Sequence, residues 1–92
     1  MNKEYSKYLP IGSVVLLKKA NKRIMITGYV MKSEEVPDKV WDYVGCLYPV
    51  GMQTSNKNLL FNHEDINIVY ALGYSDDECD RYINFLKSNL NQ

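Results

Sequence analysis

No apolar run in the 92 residues approaches the roughly 20 that a membrane-spanning helix needs. The opening Met1-Asn2-Lys3-Glu4-Tyr5 lacks the apolar core of a signal peptide, so a cytoplasmic setting with reduced thiols is expected. Cysteine is scarce: Cys46 falls in a strand-like segment and Cys79 in a helical one, which does not indicate a disulfide framework. Net charge is also lacking, with eleven basic residues against eleven acidic ones, so no long-range field gathers nucleic acid or an anionic membrane. Repeats, low-complexity stretches, a glycine-rich phosphate loop and a nucleophile elbow are all missing. Histidine occurs once, as His63, and phenylalanine only twice, whereas tyrosine occurs eight times.

What is present suits one compact domain. Hydrophobic residues make up 46% and charged residues 24%, an ordinary globular balance. Residues 1–8 are polar and read as an arm, and the domain is expected to run from 9 to 92. Val14 to Leu17 is a short aliphatic strand expected to be buried on both faces, followed by a basic turn at Lys18, Lys19, Lys22 and Arg23. Arg23 to Met31 alternates, with Ile24, Ile26 and Val30 on one face and Met25, Thr27, Tyr29 and Met31 on the other, so it reads as a central strand. Gly28 within it marks a bulge or bend.

Ser33 to Asp38 is an acidic loop, and Val40 to Leu47 is a third strand with Trp41, Tyr43 and Leu47 on one face. Asp42, on the other face, must reach solvent or a donor. After a turn at Tyr48 to Gly51 and a polar connector at Thr54 to Asn58, Leu59 to Phe61 forms a fourth strand. Asn62 to Asp65 reads as a single 3₁₀ turn capped by Asn62 and Asp65, with His63 on the rim, before a fifth strand from Ile66 to Tyr74. Ser75 to Glu78 has the capping-box form and opens a helix over 76–89 whose apolar stripe is Cys79, Tyr82, Ile83, Leu86 and Leu90. The expected fold is α+β: a small, strongly bent antiparallel sheet of about five strands, as in an SH3-like partly open barrel, with a C-terminal amphipathic helix. A flat five-stranded sheet with one packed helix is the alternative.

Three stretches together resemble a known bacterial family: Leu9-Pro10-Ile11-Gly12-Ser13-Val14-Val15, Asp42-Tyr43-Val44-Gly45-Cys46-Leu47-Tyr48-Pro49-Val50-Gly51 and Phe61-Asn62-His63-Glu64-Asp65-Ile66. The likeness, which continues through Val69 to Tyr74 and the acidic helix start, is to the domain-of-unknown-function family numbered 4176. That resemblance implies a context, not a chemistry: Firmicutes, beside genes for the type VII secretion system and its LXG-type toxins, with an accessory or chaperone-like role.

The residues themselves point away from catalysis. His63, Glu64 and Asp65 are consecutive and cannot all converge on one metal ion, and both cysteines lie on apolar faces where a thiol acts as a small hydrophobe. No enzyme activity, cofactor or metal is expected. Tyrosine offers broad contact area with a polar tip, so partner binding is placed on Tyr29, Trp41, Tyr43, Tyr48, Tyr70 and Tyr74, with another protein, possibly an LXG-type toxin, as the partner class. A toxin-neutralising immunity protein is the alternative, and a small nucleic-acid-binding barrel, suggested by the basic turn beside strand aromatics, is a further one. The oligomeric state is left between monomer and weak homodimer: Tyr82, Phe85 and Leu90 offer a surface to a second copy, and exposure of Phe85 would favour that.

Overall fold

The computed structural model describes residues 5–32, 38–54 and 58–90, the side chain of Leu90 excepted. The β-branched and aromatic runs become β1 (Val14–Leu17), β2 (Ile24–Lys32), β3 (Val40–Leu47), β4 (Leu59–Phe61) and β5 (Ile66–Ala71), and the amphipathic run becomes α1 (Asp77–Leu90). A 3₁₀ turn, His63–Asp65, joins β4 to β5. Residues 1–4 of the expected arm, 33–37 of the expected acidic loop and 55–57 of the connector lie outside the described residues.

All pairings are antiparallel, and the sheet runs β4-β3-β2-β1-β5 with β2 at its centre and its edges unclosed. The fold is therefore α+β, an open five-stranded antiparallel sheet with one C-terminal helix. Its curl follows from chain length. In a flat sheet the outermost strands would stand roughly 19 Å apart, at about 4.8 Å per strand. Here those edges are β4 and β5, consecutive in the chain and bridged by Asn62 to Asp65, three residues of which are wound in the 3₁₀ turn. The bridge spans only about 12 Å, so the sheet must bend to bring its edges near each other.

The concave face holds the core: Leu9, Val15, Ile24, Ile26, Tyr43, Phe61 and Ile66, with Leu17, Tyr29, Leu47 and Val69 packed against it. Gly45 permits this closeness, because a Cβ there would fall 2.6 Å from Ile24 Cγ2 and 3.3 Å from the Phe61 ring. In β2 the register with β3 slips between Ile26 and Gly28. The extra residue inverts the alternation, so Tyr29 joins Ile24 and Ile26 on the core side, against the expected grouping of Val30 with them. β1 also differs from expectation. Val15 is fully buried, but Val14 and Leu16 are only half-buried, so β1 is well covered on one side alone.

β5 ends at Ala71, short of the expected Tyr74, because the chain turns at Gly73. A Cβ at Gly73 would land on the Ile11 carbonyl, and its N–H donates to Ser13 Oγ at 3.0 Å, while Ser13 Oγ–H donates to the Pro10 carbonyl at 2.7 Å. The completely buried Ser13 thus ties the entry of β1 to the exit of β5. The helix N-cap is Asp76 rather than Ser75: Asp76 Oδ1 accepts the Cys79 N–H at 2.9 Å, and α1 starts one residue later than a Ser75 cap would place it.

Residues 5–9, expected mostly as a loose arm, are bound into the domain, with Tyr8 and Leu9 both buried. Tyr43 Oη accepts the N–H groups of Tyr8 at 2.9 Å and Leu9 at 3.0 Å, filling both lone pairs. Its single proton then goes to His63 Nδ1, 2.8 Å away. This fixes the imidazole with hydrogen on Nε2, which donates to the Tyr5 carbonyl at 3.2 Å. Tyr29 Oη–H donates to the Leu9 carbonyl at 2.6 Å, and Lys7 pairs with Asp42 Oδ1 at 3.2 Å. The other Asp42 oxygen accepts the His63 N–H at 2.9 Å, so Asp42 meets its need for donors. The 3₁₀ turn forms as expected, with Asn62 and Asp65 capping each other, but His63 is half-buried and engaged at both ring nitrogens rather than lying on the rim.

Three outcomes follow from this packing. Tyr43→Phe strands two buried N–H groups and an imidazole nitrogen, and urea unfolding should show a loss of roughly 2–4 kcal/mol; a loss under about 0.5 kcal/mol would refute the hub. Gly73→Ala should cost roughly 1–3 kcal/mol in the same assay, since neither backbone segment can yield freely. Burial pushes the Tyr29 phenol up to about 12 and raises that of Tyr43, in the latter case against the lowering effect of its two N–H bonds. Both folded values exceed the ordinary value near 10, so the stability these phenols contribute is whole below pH 10 and is lost as pH climbs through 12. An absorbance titration at a tyrosinate wavelength should show a late group, Tyr29 and Tyr43 among it, that ionises only as the fold gives way.

Candidate functional site

The alternation that sends Ile24 and Leu47 into the core sends their neighbours Arg23 and Tyr48 to the convex face. Ile24 is paired with Leu47, and the Tyr48 N–H donates to the Arg23 carbonyl at 2.9 Å, which sets Arg23 and Tyr48 side by side. On the other side of β2, Val15 lies opposite Ile24, which brings Leu16 next to Arg23, and Leu16 lies opposite Ile68 of β5. A band Tyr48–Arg23–Leu16–Ile68 therefore crosses β3, β2, β1 and β5.

Tyr70 joins this band through a bulge. Val14 and Val15 are consecutive, yet their β5 partners are Ala71 and Val69, leaving Tyr70 as the extra residue. The Arg23 guanidinium lies 5.1 Å from the Tyr48 ring centroid and 5.8 Å from that of Tyr70. Both distances are within cation–π range. Tyr48 is 41% exposed and Tyr70 52%. Val14 and Met25, paired with each other in the adjacent row, are half-buried and extend the apolar surface.

Lys18, Lys19 and Lys22 stand exposed around the turn that precedes Arg23, and the Lys18 N–H donates to the Asp65 carbonyl at 2.9 Å. An open cavity of about 310 Å³ is lined by Lys22, Arg23, Leu47, Tyr48, Pro49 and Val50. Val50 of this lining is itself exposed, as is Met52 after it in the chain. The arrangement can seat an apolar segment that brings a carboxylate to a guanidinium already held between two rings. A second cavity, of about 390 Å³, lies between residues 5–10 and α1, with Tyr5, Leu9, Leu72, Asp80, Ile83 and Lys87 in its wall.

The six residues expected at a partner surface are not brought together as one patch. Tyr48 and Tyr70 share the Arg23 guanidinium, and Tyr29 pairs with Tyr43 across β2 and β3, their ring centroids 6.2 Å apart. Tyr43 is 0% exposed, a correction to its expected place in the interface: its ring stacks on Phe61 at 5.2 Å and its hydroxyl is the hub described above, so no partner can touch it. Tyr29 is half-buried and its ring meets Tyr8 edge-on at 5.7 Å, inside the same aromatic cluster. Trp41 lies half-buried beside Met31 with the Lys39 ammonium 4.2 Å from its ring, toward the far end of the β2–β3 ladder from Arg23. Tyr74 stands alone at 82% exposure before α1, its hydroxyl 3.3 Å from Asp76 Oδ2.

Arg23 is the residue that sequence reasoning missed, having been grouped with the basic turn. The signal was available in its position immediately before Ile24, which the alternation of β2 puts on the face opposite the core. Among the described residues no three His, Cys, Asp or Glu side chains gather as a metal site, and both cysteines are free thiols. Among those residues, too, no helix is long and apolar enough to cross a membrane.

Comparison with curated proteins and with solved structures gives no match. A family model does match, over residues 8–81, a span that takes in the Leu9–Ser13 corner, the whole sheet, the 3₁₀ turn and the start of α1. The chain belongs to the family described as a domain of unknown function, DUF4176.

Proposed function

We propose that the chain is a non-catalytic protein-binding accessory protein, of adaptor or chaperone-like kind, acting in the cytoplasm beside a type VII secretion system of Firmicutes and its LXG-type toxins. The observation that carries the binding reading is the convex band, where Tyr48 and Tyr70 flank Arg23 with Leu16 and Ile68 alongside. Tyrosine and arginine dominate the energetic centres of protein interfaces, and a guanidinium already held against rings loses less freedom on binding. In this reading the band covers an apolar stretch of the toxin until export. The secretion setting rests on what the family resemblance implies.

The test is affinity capture of the tagged chain from its native host, followed by mass spectrometry, beside a Tyr48→Ala/Tyr70→Ala double variant checked for native circular dichroism. An LXG-type toxin or a secretion component should be recovered, and the double variant should lose it by roughly 30-fold or more, the equivalent of one interface hot spot. Recovery of a toxin's catalytic domain would argue instead for an immunity protein. Recovery of nucleic acid with steep salt dependence would move the function to the basic turn at Lys18 to Arg23.

A further inference from the structure

Two exposed aromatic surfaces lie on this one chain, beside charges of opposite sign. The first is the band centred on Arg23. The second is the outer side of α1. Cys79, Ile83 and Leu86 turn inward, with Leu86 buried, and Tyr82 touches Tyr29 at 6.2 Å between ring centroids. At 100° per residue, Glu78, Tyr82 and Phe85 form a separate stripe on the outward side. The rings of Tyr82 and Phe85 stack at 6.1 Å with 27° between planes, yet they are 52% and 55% exposed. A stacked aromatic pair facing solvent beside an exposed carboxylate is unlike the polar outer face that an amphipathic surface helix usually carries.

The acids at the start of α1 cap it and complement its dipole, but neither set of charges is ion-paired among the described residues. Asp76, Asp77, Glu78 and Asp80 surround the start of α1 with Arg81 as the nearest cation in sequence, whereas Lys18, Lys19, Lys22 and Arg23 surround the β1–β2 turn. The acids next to that turn are Glu64 and Asp65, of which Asp65 is bonded to the Asn62 N–H. Among the described residues the ion pair formed is Lys7 with Asp42, which belongs to neither set. β1 separates the two poles. Its Val14 end lies beside Ala71 and the chain leading into α1, and its Leu17 end lies beside Ile66 and the basic turn. Four strand residues span roughly 13 Å, beyond the screening distance of about 8 Å in physiological salt.

We infer that a second copy of this chain covers the band, its α1 stripe laying Tyr82 and Phe85 on the Leu16, Met25 and Tyr70 surface with Glu78 against Arg23. Each contact is helix on sheet, so a two-fold pair closes it and a head-to-tail array repeats it; both raise the mass above the monomer. A copy seated there excludes the partner of the proposed function, so self-association and partner capture compete for the band. The inference is nevertheless read on the purified chain alone and does not depend on that function.

Sedimentation velocity on the full chain, from low micromolar to high micromolar concentration, tests it. The weight-average mass should rise with concentration and fall again as salt is added. Arg23→Glu and Glu78→Arg should each weaken association by about tenfold or more, because each sets like charges against one another. The double variant Arg23→Glu/Glu78→Arg should recover it, and Phe85→Ala should weaken it with no change in charge. All three side chains are exposed, and circular dichroism checks that each variant is folded. A mass that stays monomeric at every concentration, or a double variant that associates no better than the single ones, overturns the inference.

Discussion

The hydroxyl of Tyr43 can form three hydrogen bonds, and all three are used. Two lone pairs take the N–H groups of consecutive residues, Tyr8 and Leu9, and the proton goes to His63. Because the ring is completely buried, and Tyr8 and Leu9 with it, their two N–H groups have no water as a substitute. The consequence reaches well beyond the hub. Leu9, fixed by this bond and by Tyr29, is a member of the core, and the chain leaving it passes through Pro10 to the buried Ser13, where β1 begins. The same constraint dictates the imidazole tautomer and so its bond to the Tyr5 carbonyl. One phenol thus couples the entry segment, the middle of β3 and the 3₁₀ turn.

That coupling also explains how an open sheet of this size holds its curl. The bridge between β4 and β5 is short, but shortness alone would let the edges swing. Asp42 and Asn62 prevent this: the Asp42 N–H donates to Asn62 Oδ1 at 3.1 Å, and an Asp42 carboxylate oxygen receives the His63 N–H. β3 is thereby fastened to the bridge by two bonds in opposite senses, beside the hydroxyl of Tyr43. With the concave side filled and capped by residues 5–9, the convex side is left partly open at Val14, Leu16 and Met25, whereas Val44 and Cys46 of β3 are buried there. The candidate site is a product of this uneven packing.

Much of the fold was legible because period-two patterns are physical: inward residues must be apolar, and a central strand must be apolar on both sides. The strand order's centre, the bulge signalled by Gly28, the 3₁₀ turn at His63–Asp65 and the terminal helix all follow from such local rules. The bulge marks where legibility ends. Its existence could be read, but not whether the extra residue falls before or after Gly28, and this decides whether Tyr29 or Val30 faces the core. The choice of Asp76 over Ser75 as N-cap is similarly beyond a motif, since both side chains can accept a helix N–H and the incoming backbone direction selects between them. The engagement of residues 5–9 was hidden for another reason: their contacts are with residues some 20 to 58 positions away.

The tyrosines show the same limit in the site itself. A chain with two phenylalanines needs other rings to fill its interior, and tyrosine can do so only where its hydroxyl finds partners. Tyr43 and Tyr29 have them, the backbone of residues 8 and 9, and so they go inside. Tyr48 and Tyr70 have beside them not a backbone acceptor but a guanidinium, which is attracted to ring faces and keeps its remaining donors in water. Each ring's fate was therefore set by the polar group the fold placed next to it, and composition carries no record of that. For the same reason Arg23 belongs to the site while Lys18, Lys19 and Lys22 border it: its planar group packs against two rings, and an aromatic surface with a fixed cation at its centre favours an apolar partner segment that carries a carboxylate.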